Sequence, residues 1–317
     1  MKAAVVTSFG EPPRYADFAE PVPAGEHDLV VDVITAGLHP RVRSQADGSH
    51  YTSTGELPLV PGVDGVGRGA DGALRYFALD DTTAGSMAER TVIDARRSIV
   101  LPAGTDPVMV AAGMNPAMSS WVALRRRAAF TAGQGVLVLG ATGSAGRMAV
   151  QVARLLGAGQ VIAAGRDAAR LAALPALGAA AAVRLGPDGT SPGLGEAAAG
   201  VDVVIDYLWG QPAASAMAAI VTARPDRRRP LTWISVGSMA GLTAPLPSAA
   251  LRAARLQVIG SGQGSVGPGE FLAELPALAA ELSRGTFAIA ARPAPLAEVE
   301  QAWADAPATA DRIVLVP

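Results

Sequence analysis

The chain contains no cysteine and, apart from Lys2, no lysine. Without cysteine no disulfide can form, and every zinc site that relies on a thiolate is excluded. Nearly all the positive charge is therefore arginine. With so much alanine, this reads first as a bias of genome composition and only weakly as phosphate recognition. Charge is scarce as well: 17% of residues are charged and the formal net charge is −2. That leaves no electrostatic footprint for nucleic acid or an anionic membrane surface. No apolar run reaches the ~18 residues of a membrane span. The opening MKAAVVTSFGEPPR has too short an apolar stretch for a secretory leader and reads as a first strand. The expectation is a cytoplasmic protein that acts on a small molecule, with neither nucleic acid nor membrane as partner.

The 317 residues are half apolar, enough for one large or two medium domains. Residues 1 to about 110 read as short strands punctuated by Gly and Pro: MKAAVVTSF, DLVVDVITAGL, GVDGVGRG and MAERTVI. The period turns helical in DPVMVAAGMNPAMSSWVALRRRAAF, whose arginines Arg125 to Arg127 suit a helix C-terminus. From Gly135 onward, apolar strands alternate with helices: GVLVLG, AGRMAVQVARLLGA, QVIAAG, DAARLAALPALGA (broken near Pro175), VDVVIDYL, AASAMAAIVTA, LTWISVG and LQVIGSG. Strands apolar on both faces and separated by helices indicate a parallel sheet in an α/β fold. Two helices, GEFLAELPALAAELSRG and PLAEVEQAWADA, and a last strand, DRIVLVP, follow.

The stretch from Gly135 to Asp167 carries the sharpest signal. A strand runs into a turn almost bare of side chains, Ala141-Thr142-Gly143-Ser144-Ala145-Gly146, and a helix opens from it. In a dinucleotide fold such a turn lets main-chain amides approach a pyrophosphate, and a side chain there would hold the phosphates away. The match is a variant of GxGxxG with alanine in the first place. Its strand-turn-helix-strand setting is what gives it weight. The competing reading is a glycine-rich turn with no ligand.

The end of the second strand reports on the ribose. A carboxylate there would bind the 2′-hydroxyl of NAD, whereas this chain has Gly165 followed by Arg166. The lost charge and the added guanidinium point to NADP(H). The alternative is a surface arginine beside Asp167 acting as a helix cap.

Taken in order, MKAAVV, AGLHP, PGVDGVG (61–67), GSMAE (85–89), the nucleotide turn, DVVIDY (202–207), SVGSMAG (235–241), PLAEVEQAW and RIVLV resemble the medium-chain dehydrogenase/reductase superfamily, in its zinc-independent quinone oxidoreductase branch. The resemblance implies a Rossmann doubly wound parallel sheet inserted into a GroES-like β-rich catalytic domain. It implies residues 1–115 and 256–317 for the catalytic domain and 116–255 for the NADP(H)-binding domain. It also implies a homodimer joined through Rossmann edge strands, with LTWISVG and LQVIGSG as edge candidates.

Where the zinc branch has a cysteine and a His-Glu pair, this chain has His39, and Val63 with Asp64. Valine cannot ligate a metal, so no zinc is expected. Where the quinone branch has Asn-Pro-x-Asp, this chain reads His39-Pro40-Arg41-Val42, and ALRYFALDD is a poor substitute for its GDRV strand.

The resemblance implies a pocket with Tyr51 and His39 as its polar groups. Each either donates a proton or hydrogen bond to a reduced substrate, or is structural, Tyr51 as a loop residue and His39 as a hydrogen-bonded one. His50 falls in a loop. Arg41 and Arg43 either hold an anionic substrate or are solvated. Ser119, Tyr207, Val236, Gly237 and Gly262 fall where relatives meet the cofactor, with Asn115 a weaker candidate. The expected activity is NADPH-dependent reduction of a quinone or an α,β-unsaturated carbonyl. The alternatives are reduction of simple aldehydes or ketones, and non-catalytic NADPH binding.

Overall fold

A computed structural model describes residues 1–262, 264–309 and 311–317. The chain divides into two compact units, Met1–Asn115 with Leu275–Pro317, and Pro116–Glu274.

The second unit is built on a six-stranded parallel sheet. Its spatial order is Ala181–Arg184, Gln160–Gly165, Gly135–Leu139, Val203–Asp206, Leu231–Ser235 and Leu256–Gly260. Numbered along the chain this is 3-2-1-4-5-6, the doubly wound order that leaves a crevice at the C-terminal ends of the first and fourth strands. The first strand, GVLVL, is buried at every position, as a central strand covered on both faces must be. Leu137 and Leu139 pack with Ile162, Val204, Trp233 and the helix Gly210–Ala223 in one core. The helix Ser144–Leu155 buries Met148, Ala149, Val152 and Ala153, an i, i+1, i+4, i+5 stripe of the helical period.

The strand Leu256–Gly260 pairs in register with Leu231–Ser235, so the second unit runs past the expected boundary at 255, to Glu274. The same pairing corrects one of the edge candidates. Leu231–Ser235 is bonded on both sides, and Leu256–Gly260 alone of that pair is an edge. The short strand Ala181–Arg184 escapes a reading by hydropathy because AAVR is brief and continues an alanine run with no turn signal between them.

The first unit holds a two-stranded antiparallel sheet, Lys2–Val5 with Arg14–Asp17, and a seven-stranded sheet. The larger sheet runs Ala291–Pro295, Arg312–Val316, Asp28–Leu38, Asp64–Gly69, Leu74–Ala78 and Ser98–Val100, with Arg90–Asp94 also pairing on Asp28–Leu38. ALRYFALDD does form a strand: Leu74–Ala78 lies antiparallel to Asp64–Gly69 and buries Tyr76 and Phe77. The C-terminal strand Arg312–Val316 pairs with Asp28–Leu38, which ties the chain's last segment to its first. The main core collects Val33, Leu38, Val42, Val63, Met87, Trp303 and Leu315.

Candidate active site

The nucleotide turn begins one residue earlier than its spacing suggests. Gly140, not Ala141, makes the turn out of the first strand, at φ +86°, a conformation that costs a side chain free energy. Ala141 is buried, and its N–H, like that of Gly140, donates to Ala164 O at 2.9 Å. The working pattern is therefore Gly140-x-x-Gly143-x-x-Gly146. The strand's own final glycine was the signal for it. A Cβ at Gly146 would lie 2.2 Å from Gly140 O and 2.6 Å from Ala141 Cα, so this glycine serves close helix–strand packing.

Gly143 differs from Gly146. It is exposed, and a Cβ there would meet only Gly140 O, at 3.6 Å. It is the N-cap of Ser144–Leu155, and no side chain caps that helix. The first amides of the helix thus have no capping side chain, and the residue before them presents no Cβ. Such a terminus carries a partial positive charge and unsatisfied donors. These features fit the pyrophosphate of a dinucleotide.

Gly165 ends the second strand buried, and a Cβ there would meet Thr142 Cγ2 at 2.7 Å and Oγ1 at 2.9 Å. Its bareness makes room for Thr142 as well as removing a carboxylate. Arg166 next to it is exposed and makes no hydrogen bond or ion pair among the described residues. Asp167 caps the following helix by accepting from Arg170 N at 3.0 Å. The capping role is thus taken by the aspartate, and the guanidinium remains available to a phosphate.

At the end of the fourth strand, Asp206 is fully buried. Its carboxylate accepts from Leu208 N (2.8 Å), Trp209 N (3.0 Å) and Trp233 Nε1 (3.0 Å). Burial pushes its pKa up against the pull of those donors. The next residue, Tyr207, meets Ser119: the two hydroxyls are 2.8 Å apart, and Ser119 Oγ donates to Pro116 O at 2.9 Å. Ser119 has one proton and gives it to that carbonyl, so Tyr207 donates to Ser119. Burial pushes the Tyr207 phenol up to about 12, against the pull of Ser119 and Ser120.

The N–H groups of Val236 and Gly237 donate to Asp206 O at 2.8 and 3.1 Å. A Cβ at Gly237 would lie 3.0 Å from Tyr207 O. These residues hold the ends of two adjacent strands together. Gly262 closes a small turn with Ser265, whose Oγ accepts from Gly262 N at 2.8 Å.

In the first unit, His39 and Tyr51 occupy opposite environments. His39 is the extended N-cap of the helix Pro40–Ala46, where Pro40 at the first helical position sets the turn. Its ring is 2% exposed, and Nε2 lies 3.1 Å from Asp64 Oδ1. Asp64 starts the strand Asp64–Gly69. Tyr76, on the neighbouring strand and the same face, donates its hydroxyl to Asp64 Oδ2 at 2.9 Å. Burial, and the proximity of Asp64, push the Tyr76 phenol well up. Burial pulls His39 below its ordinary value, Asp64 opposes that, and the charges of Arg312 and Arg41 add to it. Buried Arg312 is lowered to about 10 and so remains charged at neutral pH. Sequence spacing missed Asp64 as the partner of His39, because the two are joined only by the sheet.

Tyr51, by contrast, is 72% exposed and lies against His50, ring centroids 4.2 Å apart. Its turn is anchored by the next residue: Thr52 Oγ1 accepts from Arg41 at 2.9 Å, and both Thr52 and Arg41 donate to the buried carboxylate of Asp81. His50 Nδ1 is 2.7 Å from Thr52 Oγ1. Arg43 donates to Trp303 O at 2.6 Å and lies over the Trp303 ring. Neither Arg41 nor Arg43 is therefore the solvated loop residue of the sequence reading, and both guanidiniums are engaged within the unit. Val63 is buried in the apolar core, and no group of three or more metal-ligating side chains occurs among the described residues.

No family model matches the chain. Over its whole length, and the whole length of the relative, it is 30% identical to a probable NADPH-dependent quinone reductase, tdiC, of Emericella nidulans. It is 31% identical to the quinone oxidoreductase of Homo sapiens across about half of each chain (50% and 50%). Among solved structures it is similar to the quinone oxidoreductase from Thermus thermophilus, which has also been solved in complex with NADPH. That likeness has a TM-score of 0.83 at 26% identity and covers 100% of both chains.

Proposed function

The chain belongs to the quinone oxidoreductase branch of the medium-chain dehydrogenase/reductase superfamily, and from that premise we propose that it is a zinc-independent, NADPH-dependent reductase of quinones, with α,β-unsaturated carbonyls as the related substrate class. NADPH, when bound, supplies the hydride. The chain's own contribution begins with the bare turn at Gly140, Gly143 and Gly146, behind which the uncapped helix N-terminus takes the pyrophosphate. Arg166 takes the 2′-phosphate. Ser119, Tyr207, Val236, Gly237 and Gly262 line the strand ends along which the rest of the dinucleotide lies. Tyr51 contacts the substrate, and its exposed position on a pinned turn leaves the side chain accessible.

The observation that carries the reading is the uncapped helix N-terminus behind Gly143, together with the available guanidinium of Arg166 one residue past the second strand. A quinone gains hydride and a proton to become a hydroquinone, and water can provide that proton, so no metal is needed to stabilise charge. The test is oxidation of NADPH in the presence of a panel of quinones, enones and simple aldehydes, before and after prolonged chelation. Quinones and then enones should be reduced, with no loss on chelation. Reduction of aldehydes alone, or restoration of a lost activity by zinc, would overturn the reading.

Two further points belong to the same proposal. The edge strand Leu256–Gly260 carries the half-buried apolar residues Leu256, Val258 and Ile259, and pairing with its own copy would cover it as a homodimer. A monomeric mass at micromolar concentration would count against this. The cytoplasmic location expected from the cysteine-free sequence is tested by cell fractionation.

A further inference from the structure

In the second unit, the end of the second parallel strand and the turn after the first are locked against each other. Gly140 and Ala141 both donate their N–H to Ala164 O at 2.9 Å, and Leu185 N donates to Gly165 O at 2.8 Å. Neither segment can retreat without breaking those bonds. Across this fixed gap Thr142 rests on Gly165: a Cβ there would lie 2.7 Å from Thr142 Cγ2, 2.9 Å from Oγ1 and 3.3 Å from Cβ. Threonine is branched at Cβ and stiff about χ1, and no rotation moves its own Cβ away. A side chain at position 165 and Thr142 therefore compete for one space. A carboxylate carried from that position is what would accept from the 2′-hydroxyl of NAD. Thr142 stands where that carboxylate would begin. It is partly exposed, and its hydroxyl makes no hydrogen bond among the described residues.

We propose that Thr142 is a specificity-determining residue for the 2′-phosphate: its side chain excludes a strand-end carboxylate, and its hydroxyl donates to the phosphate beside the Arg166 guanidinium. This deepens the NADPH-dependent reading and rests on it. A hydroxyl is neutral, so it does not repel a phosphate as a carboxylate would. With a proton to give, it makes a charge-assisted bond to the phosphate. The 2′-hydroxyl of NAD gains only a neutral bond from the same group, which is worth less. Preference is then divided between Arg166, which attracts by charge, and Thr142, which both blocks and donates.

The experiment measures binding of two adenosine fragments to the full chain by calorimetry. Adenosine 2′,5′-bisphosphate and 5′-AMP differ only in the 2′-phosphate, and neither carries a nicotinamide. The parent should bind the bisphosphate more tightly. Thr142→Val keeps the branched shape on Gly165 and deletes the hydroxyl, and should lower the ratio of the two affinities about tenfold, as for a hydrogen bond to a charged group. Thr142→Ser returns the hydroxyl without the methyl and should recover most of the ratio. The exclusion is read separately by thermal unfolding. Gly165→Asp should destabilise the parent, and markedly less so in a Thr142→Gly background, because the two residues share one space.

A Thr142→Val ratio equal to the parent's, or one that Thr142→Ser fails to restore, would overturn the hydroxyl contact. An equal cost of Gly165→Asp in both backgrounds would overturn the exclusion. Both measurements are made without turnover or a quinone. A parent that binds the two fragments equally defeats the NADPH reading itself, whereas a parent with the expected ratio and an unmoved Thr142→Val defeats this proposal alone.

Discussion

The glycine turn at 140–146 and the cluster around His39 solve opposite problems. The turn removes side chains and leaves its helix N-terminus uncapped, and its geometry is held by the close backbone approaches at Gly146. The cluster does the reverse: it buries four polar side chains, His39, Asp64, Tyr76 and Arg312, and joins the first three through the Asp64 carboxylate. The turn's ligand chemistry follows from what is missing. A main-chain site tolerates almost any side-chain change that respects its space, whereas a buried ionic cluster tolerates almost none.

The largest expected effect tests that contrast on the cluster. Asp64→Ala would leave His39 Nε2 and the Tyr76 hydroxyl without their carboxylate partner and would remove a charge that favours the buried Arg312 cation. Breaking a buried network in this way costs ~3–5 kcal/mol, measurable by denaturant unfolding. A loss below about 1 kcal/mol would mean that the network is incidental. The same cluster sets an acid limb. His39 is held below its ordinary value of 6.5, so its burial contributes fully above that pH and is lost as pH falls beneath it. The slope is up to about 1.4 kcal/mol per pH unit for one proton, and His39→Gln should flatten it.

The turn yields a paired prediction. Gly146→Ala forces a Cβ to 2.2 Å from Gly140 O and should destabilise the protein by ~1–3 kcal/mol, as overpacking does. Gly143→Ala meets nothing closer than 3.6 Å and should melt within a degree or two of the parent. Its methyl instead enters the path of the phosphates, so NADPH affinity should fall about tenfold, roughly 1.4 kcal/mol. If Gly143→Ala binds NADPH normally, the bare turn is a packing device and the comparison fails. Arg166→Ala should leave stability alone and reduce the preference for NADPH over NADH tenfold to a hundredfold, ~1.5–3 kcal/mol for a charged hydrogen bond. Equal cofactor preferences before and after would remove Arg166 from the site.

How much of this was legible in the chain depends on the distance over which each feature is written. The parallel sheet could be read because its central strands are buried on both faces and each is a local apolar run. The phosphate turn could be read because its three glycines lie within seven residues, although the first was placed on Ala141 when the left-handed φ of the turn falls on Gly140. The His39–Asp64 pair spans 25 positions, and Tyr76 sits on a strand whose sequence matched its family pattern poorly. No local pattern carries an interaction made by sheet registry. Arg41 is a similar case, since Asp81 lies 40 positions away and only the fold brings it to the Tyr51 turn. Tyr51 and His39 read as one polar pair in the sequence, yet one is exposed and the other enclosed, because His39 sits at the junction of strand and helix and Tyr51 follows that helix in an exposed turn.

The smallest expected effect concerns Tyr207 and Ser119, which combine the two styles: a side-chain pair at the end of a strand in the main-chain site. Tyr207→Phe removes the proton donated to Ser119 but leaves the Ser119 bond to Pro116 O intact. One neutral hydrogen bond is worth about 0.5–1.5 kcal/mol, and a phenyl ring fills the same space, so stability should fall by no more than that. The phenol is held up to about 12 and is therefore protonated throughout the range in which the protein would be assayed. It cannot add a titration of its own there. The pH profiles of NADPH oxidation by the parent and by Tyr207→Phe should accordingly run parallel between pH 6 and 10, offset by a constant factor. A new limb in that interval for the parent alone would show that Tyr207 exchanges its proton during turnover. Ser119→Ala is the sharper partner test. It strands a buried phenol donor, which Ser120 alone remains to meet, so it should cost more stability than Tyr207→Phe even though it deletes a smaller group. In the double variant that excess should disappear, because removing both members of a pair leaves nothing unsatisfied.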